Sequence, residues 1–176
     1  NEHMNLTSAN SINVARFLPQ AFYYFNAYAQ MKRLGKGDNM VICVPSGNFG
    51  NITAGLFGKR MGLPVKRFIA ANNANDIFYN YLQSGKYEPK PSIQTLANAM
   101  DVGDPSNFAR IIDLYKGCHA DISAEISGAT YSDEQIAQTM RQCHATTGYV
   151  LDPHGACGYQ ALKDLLHDGE TGVFLE

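Results

Sequence analysis

Pro45-Ser46-Gly47-Asn48-Phe49-Gly50-Asn51 puts a serine, two glycines and two asparagines between an apolar run and a helical pattern. Residues 40–44, Met-Val-Ile-Cys-Val, have the length and β-branched content of a buried strand. Residues 51–61 read as a helix, ended by Gly62-Leu63-Pro64. A loop of this composition can turn its N–H groups inward at the positive end of a helix dipole, which suits a phosphate. A Walker loop needs Gly-Lys-Ser/Thr at the start of its helix, and here Gly50 is followed by Asn51-Ile52. A dinucleotide fingerprint needs three glycines, and only Gly47 and Gly50 fall three apart. The pattern therefore favours a small phosphate ester over a nucleotide. The plain alternative is a strand-to-helix turn, with glycine at positive φ and Asn51 as the helix N-cap.

A second polar group lies upstream. Asn13 and Arg16 are three apart and share a helix face, with Asn10 just before it. Arg16 is the sole formal charge between Glu2 and Lys32. Its planar guanidinium could grip a phosphate with two parallel bonds. A capping asparagine and an ordinary surface arginine would explain the same spacing. Asn48 and Asn51 could touch a cofactor or serve as loop residues. His154 follows Pro153 near a helix start, and suits either a neutral histidine beside a cofactor or a plain first-turn residue.

The wider segments resemble threonine synthases, pyridoxal-phosphate enzymes of fold type II. The resemblance is carried by residues 44–51 followed by 62–72, and by Asn10-Ser11-Ile12-Asn13-Val14-Ala15-Arg16, which is similar to the family's Asn-Ser-x-Asn-x-x-Arg run. Residues 96–107 look like its Asn-Ala-Met-Asp-Val segment, and residues 152–159 like its late Pro-His-x-Ala block. It covers nearly the whole chain and is weakest across residues 115–130. It implies that Ser46, Gly47, Asn48, Phe49, Gly50 and Asn51 hold the phosphate of pyridoxal phosphate. It further implies that Asn10, Asn13 and Arg16 hold the phosphate of the substrate, O-phospho-L-homoserine, which water converts to L-threonine and phosphate. The family's Schiff-base lysine sits in a Phe-Lys-Asp context, and none of Lys32, Lys36, Lys59, Lys66, Lys86, Lys90, Lys116 or Lys163 has it. The family's late Thr-Ala-His-Pro-Ala-Lys run is also missing. By this resemblance residues 1–176 are the central, large-domain part of a longer enzyme. They hold no catalytic residue, depend on the remainder of the polypeptide, and are inactive alone.

Composition bounds the rest. A chain of 176 residues with 45% apolar and 17% charged residues is one ordinary globular domain or slightly more. A net charge of −2 without a basic run offers nothing to nucleic acid or an anionic membrane. No apolar run reaches the ~20 residues that span a bilayer. Residues 1–5 lack the pattern of a signal peptide. Cys43, Cys118, Cys143 and Cys157 are scattered without Cys-x-x-Cys, as expected of reduced thiols in a cytoplasmic protein. Their spacing to His119, His144 and His154 matches no compact zinc module, so no metal is expected.

The elements that must position these groups alternate. A long helix is expected from Asn10 or Ser11 to Gly35, with Pro19 kinking it or marking its true first turn. Strand 40–44, helix 51–61 and strand 65–71 form a βαβ unit. A short helix over 75–82 follows, then an irregular insertion over 87–130 in which Asn107 caps a helix to 115. Ser132 and Gln135 form a capping box for a helix over 133–145, ended at Gly148. A short strand over 149–151, a helix from Asp152 or His154 to 166, and a strand over 172–175 complete the chain. This alternation predicts an α/β fold, a parallel sheet with helices on both faces. Ligands of such sheets bind beyond the carboxyl ends of the strands, where the loop at 45–50 lies. Two other readings fit the same residues: a different fold type II lyase of the serine or threonine dehydratase kind, and a phosphate-ligand-binding domain without chemistry.

Overall fold

The computed structural model describes residues 10–176, so the leader reading at residues 1–5 lies outside it. Four parallel strands form one sheet: β1 (Met40–Pro45), β2 (Val65–Asn72), β3 (Ile126–Thr130) and β4 (Thr171–Phe174), in the order β3-β2-β1-β4. Among the described residues eight α-helices connect and flank them: α1 (Val14–Phe17), α2 (Ala21–Arg33), α3 (Gly50–Arg60), α4 (Ile77–Ser84), α5 (Phe108–Leu114), α6 (His119–Glu125), α7 (Asp133–Thr147) and α8 (Pro153–Leu165).

The two-residue period of the strands sorts their side chains onto two faces. Met40, Ile42, Val44, Phe68 and Ala70 enter one core, with residues of α2 to α6. Val41, Cys43, Ile69 and Ala71 enter the other, under α7 and α8. Both central strands are covered on both sides, which explains why they read as continuous apolar runs. The chain steps from β1 to β2 to β3 in one direction, with its helices on the first face. It then returns past β1 to β4 with α7 and α8 on the opposite face. A fixed crossover hand requires this change of face when the direction reverses. The reversal puts a topological switch point between the carboxyl ends of β1 and β4, where a doubly wound sheet opens a crevice.

Several expectations are met. The capping box of Ser132 and Gln135 is formed, and α7 ends at Gly148 with φ 75°. Asp152 caps α8 by accepting from Gly155 N. Others are corrected. The long first helix is broken in three, α1, a 3-10 turn over Leu18–Gln20, and α2, because Pro19 cannot donate within a continuous helix. Residues 149–151 form no strand. Within 87–130, only the stretch to 107 is irregular apart from a 3-10 turn over Asn98–Met100; α5, α6 and the edge strand β3 follow. Asn107 stands at the N-cap of α5 but makes no cap bond with its side chain, which is used elsewhere.

Among the described residues no helix is long and apolar enough to cross a membrane. No group of three or more His, Cys, Asp or Glu among them could hold a metal ion.

Candidate functional site at the carboxyl end of β1

The loop that leaves β1 is anchored at both ends. Ser46 N donates to Ala71 O at 2.9 Å, and the Asn72 amide donates to Ser46 O at 2.9 Å, so the loop's first residue stays in register with β2. Asn51 closes the other end. Its amide donates to Pro45 O at 2.7 Å, and its carbonyl oxygen accepts from Ile52 N at 2.9 Å. The Tyr24 hydroxyl donates to Asn51 O at 2.6 Å, anchoring the loop to α2.

Between these anchors, the N–H groups of Gly47, Asn48, Phe49, Gly50 and Asn51 make no hydrogen bond among the described residues. Phe49 is the N-cap of α3 with φ 61° and ψ 13°, a left-handed conformation. A left-handed residue immediately before a helix can turn successive N–H groups toward a common point, as in an anion nest. A non-glycine residue at positive φ costs on the order of 1–3 kcal/mol. Phe49 is held there by burial, with its ring 4.5 Å from that of Phe78.

This corrects the turn chemistry expected from sequence. Neither Gly47 nor Gly50 has positive φ, and Asn51 is not the N-cap. The glycines are required by close approach instead. A Cβ on Gly47 would lie 2.6 Å from Met100 Cα, and one on Gly50 would lie 2.9 Å from Ser11 Cβ. Two remote turns, 98–101 and 10–13, therefore press directly on the loop.

Each turn is fixed by its own polar network. Asp101 Oδ1 accepts from the Asn73 amide (2.8 Å), the Asn75 amide (3.1 Å) and the Thr95 hydroxyl (2.7 Å), and Oδ2 accepts from Thr95 N (3.0 Å). Ala99 N donates to His154 Nε2 at 3.2 Å, which places the imidazole proton on Nδ1, 3.3 Å from Asp152 Oδ2. On the other side, Asn48 donates to Ser11 Oγ at 3.0 Å and accepts from Ser106 N at 2.7 Å. Asn107, fully buried, donates to Ser11 Oγ at 3.0 Å and to Asn48 O at 2.9 Å. Arg110 donates to Ser11 O at 2.8 Å and also to Ile12 O and Asn107 Oδ1.

Of the upstream stretch, Ser11 is the residue that touches the loop, through Asn48 and Gly50. Asn10 Oδ1 accepts from Ile12 N at 3.2 Å and shapes the turn. Asn13 caps α1 through Ala15 N at 3.0 Å. Arg16 is exposed one turn on, its guanidinium without a hydrogen bond or ion pair among the described residues; it lines a surface hollow with Gln20 and Tyr23. Those two residues also border a cavity of about 450 Å³ that reaches Pro45, Asn51, His154 and Phe174 at the switch point. Of the loop's predicted residues, only Asn51 lines that cavity.

No side chain here is an activated thiol. Burial pushes the Cys157 thiol up to about 12 and raises that of Cys43 as well, so both stay protonated at neutral pH. Sequence reasoning missed Ser11, Asp101, Ser106, Asn107 and Arg110 as parts of the site. The cluster Asn72-Asn73-Ala74-Asn75 at a strand end was the one available signal, since buried amides must find partners.

A four-stranded doubly wound sheet with five N–H groups left unbonded after its first strand suits a phosphorylated ligand. A family profile described as "Pyridoxal-phosphate dependent enzyme" matches residues 5–174, and the chain belongs to that family. The curated relatives and solved structures it is similar to include threonine synthases. That of Haemophilus influenzae is 48% identical over 98% of this chain. The crystal structure of threonine synthase from Escherichia coli superposes with a TM-score of 0.87 at 47% identity, over 95% of this chain and 38% of that one. The pyridoxal-phosphate-bound threonine synthase of Brucella melitensis gives 0.86 at 34% identity, over 97% and 41%. Maize serine racemase, at 17% identity and a TM-score of 0.62, shares the fold. The chain spans about 40% of the length of the curated relatives it matches.

Proposed function

We propose that the polypeptide carrying this chain is a cytoplasmic threonine synthase, a lyase that converts O-phospho-L-homoserine and water to L-threonine and phosphate. The observation that carries the reading is the run of five N–H groups, Gly47 to Asn51, left unbonded at the start of α3. An unpaired run of donors on the positive end of a helix is stabilised by a dianion. Pyridoxal phosphate, when bound, supplies an electron sink for negative charge developing on the substrate's carbons.

The chain's own residues position and bind. Ser46 to Asn51 hold the cofactor phosphate, with Phe49 fixing the direction of the N–H groups. Gly47 and Gly50 admit the two turns that brace the loop. His154 holds the 98–101 turn by accepting from Ala99 N. Asn10, Asn13 and Arg16 hold the substrate phosphate, with Arg16 free to form a bidentate contact. Nothing among these residues moves a proton; the lysine that does so belongs to the remainder of the polypeptide, and the 176-residue chain alone does not turn over.

The test is a comparison of Arg16→Ala and Arg16→Lys in the enzyme that carries this chain. Losing a charge-assisted contact to a dianion costs about 2–3 kcal/mol. Arg16→Ala should raise KM for O-phospho-L-homoserine roughly 30- to 160-fold by that energy and leave the cofactor spectrum intact. Arg16→Lys should recover part of the loss. Loss of pyridoxal phosphate, or wild-type behaviour, means the two phosphate sites are misassigned. Release of ammonia in place of phosphate would move the activity to a dehydratase.

A further inference from the structure

We propose that Arg110 is a positioning residue for the substrate phosphate, acting through the 10–13 turn. The proposal rests on the reading of Asn10, Asn13 and Arg16 given above. Arg110 directs its guanidinium at three uncharged oxygens, Ser11 O at 2.8 Å, Ile12 O and Asn107 Oδ1. It lies 4.5 Å over the ring of Phe17, the buried residue of α1. It has no carboxylate partner among the described residues.

That arrangement has two consequences. A rigid fork that grips two consecutive carbonyls fixes the direction of the peptide units between them. The turn closes directly behind, where Asn13 N donates to Asn10 O at 3.0 Å, and Asn13 then starts α1. The orientation of Arg16 is therefore inherited from the grip of Arg110 on Ser11 and Ile12. The second consequence is electrostatic. Carbonyl dipoles orient the cation without cancelling its charge, so a net positive charge remains beside a site read as receiving a dianion. Asn107 joins the two loops. It bonds Arg110 through its oxygen, and Ser11 Oγ and Asn48 O through its nitrogen. A structural staple would serve as well with a neutral side chain; an arginine held by uncharged oxygens alone keeps its charge available to an anion.

The experiment is a double-mutant cycle in the enzyme that carries this chain. Arg110→Met keeps the length of the side chain and its packing on Phe17, and Arg110→Lys keeps the charge. For each, alone and with Arg16→Ala, four quantities are measured: kcat, KM for O-phospho-L-homoserine, the inhibition constant of inorganic phosphate, and Kd for pyridoxal phosphate. Arg110→Met should raise KM and the phosphate inhibition constant about tenfold, with kcat and cofactor Kd within about twofold. Arg110→Lys should recover about half of the loss on a logarithmic scale, and carries the comparison should Arg110→Met lose the fold. With Arg16 already removed, Arg110→Met should add less than about twofold, because the two act on one contact. An equal effect on both backgrounds, or a cofactor Kd that moves with KM, overturns the proposal. A raised phosphate inhibition constant in Arg16→Ala with none in Arg110→Met overturns it alone. An unchanged constant in Arg16→Ala overturns the reading beneath it, and the proposal with it.

Discussion

The Asn48 carboxamide donates to the hydroxyl of Ser11 at 3.0 Å, across 37 positions of sequence. This contact joins the loop that follows β1 to the turn that precedes α1. Ser11 Oγ also accepts from Asn107 at 3.0 Å and donates to Asn10 at 3.3 Å, which uses its one proton and both lone pairs. A saturated hydroxyl between three amides fixes the spacing of two candidate phosphate subsites.

Asn48→Ala should loosen that spacing. It removes the donor to half-buried Ser11 and the acceptor for exposed Ser106, at a cost of about 1 kcal/mol. The enzyme should show a lower melting temperature and weaker binding of both pyridoxal phosphate and inorganic phosphate. Weaker binding of pyridoxal phosphate with inorganic phosphate unaffected would mean that the Asn48–Ser11 contact does not hold the 10–13 turn.

Gly47→Ala should be destabilising although its backbone is not left-handed. Its Cβ would meet Met100 Cα at 2.6 Å, and backbone cannot step aside cheaply. Overpacking of this kind costs about 1–3 kcal/mol. Urea denaturation measures it. Gly117→Ala, with open space around it but φ 74°, is the comparison for a purely conformational penalty of about 1 kcal/mol. Equal stability of Gly47→Ala and wild type would refute the close approach.

At the far end of the sheet, Arg67 pairs with Glu170 at 2.6 Å and Lys66 reaches the same carboxylate at 3.0 Å. The Arg67 guanidinium holds the Glu170 carboxyl far below the usual carboxylate range. The folded pKa lies below the unfolded value near 4.3, so this stabilisation is complete above that value and is lost as pH falls through the folded pKa. Wild type should exceed Glu170→Gln by about 2–3 kcal/mol at pH 7, and the gap should narrow steadily below pH 4. A gap that stays constant down to pH 3 would show that the charge contributes nothing. The pair ties β2 to the start of β4, and so fixes the strand that carries Phe174 into the cavity.

The sheet and most helices were legible because period and length report burial. Residues 40–44 lie on both cores, and their unbroken apolar run says so. Edge strand β3 was not legible: Ile-Ser-Gly-Ala-Thr has one strong apolar residue, and only pairing with β2 makes it a strand. The loop at 46–51 was found from its composition, but its mechanism was not. Positive φ fell on Phe49 rather than on a glycine because burial against Phe78 outweighs the backbone cost, and no local pattern reports that. Arg110 and Asp101 escaped for a related reason. Their partners lie far along the chain or in turns without periodicity, and spacing arguments reach only about one turn of helix.

The central claim is that the five free N–H groups from Gly47 to Asn51 hold the cofactor by its phosphate. It is tested most directly by the ratio of affinities for pyridoxal phosphate and for pyridoxal, which lacks the phosphate, in the wild-type enzyme and in Gly50→Val. Two or three charge-assisted bonds predict a wild-type preference of at least about 100-fold for the phosphorylated form. Gly50→Val should cut that preference to below about tenfold while leaving the affinity for pyridoxal within about threefold of wild type. A variant that binds both forms more weakly by the same factor, with the preference intact, would contradict the claim and place the phosphate elsewhere.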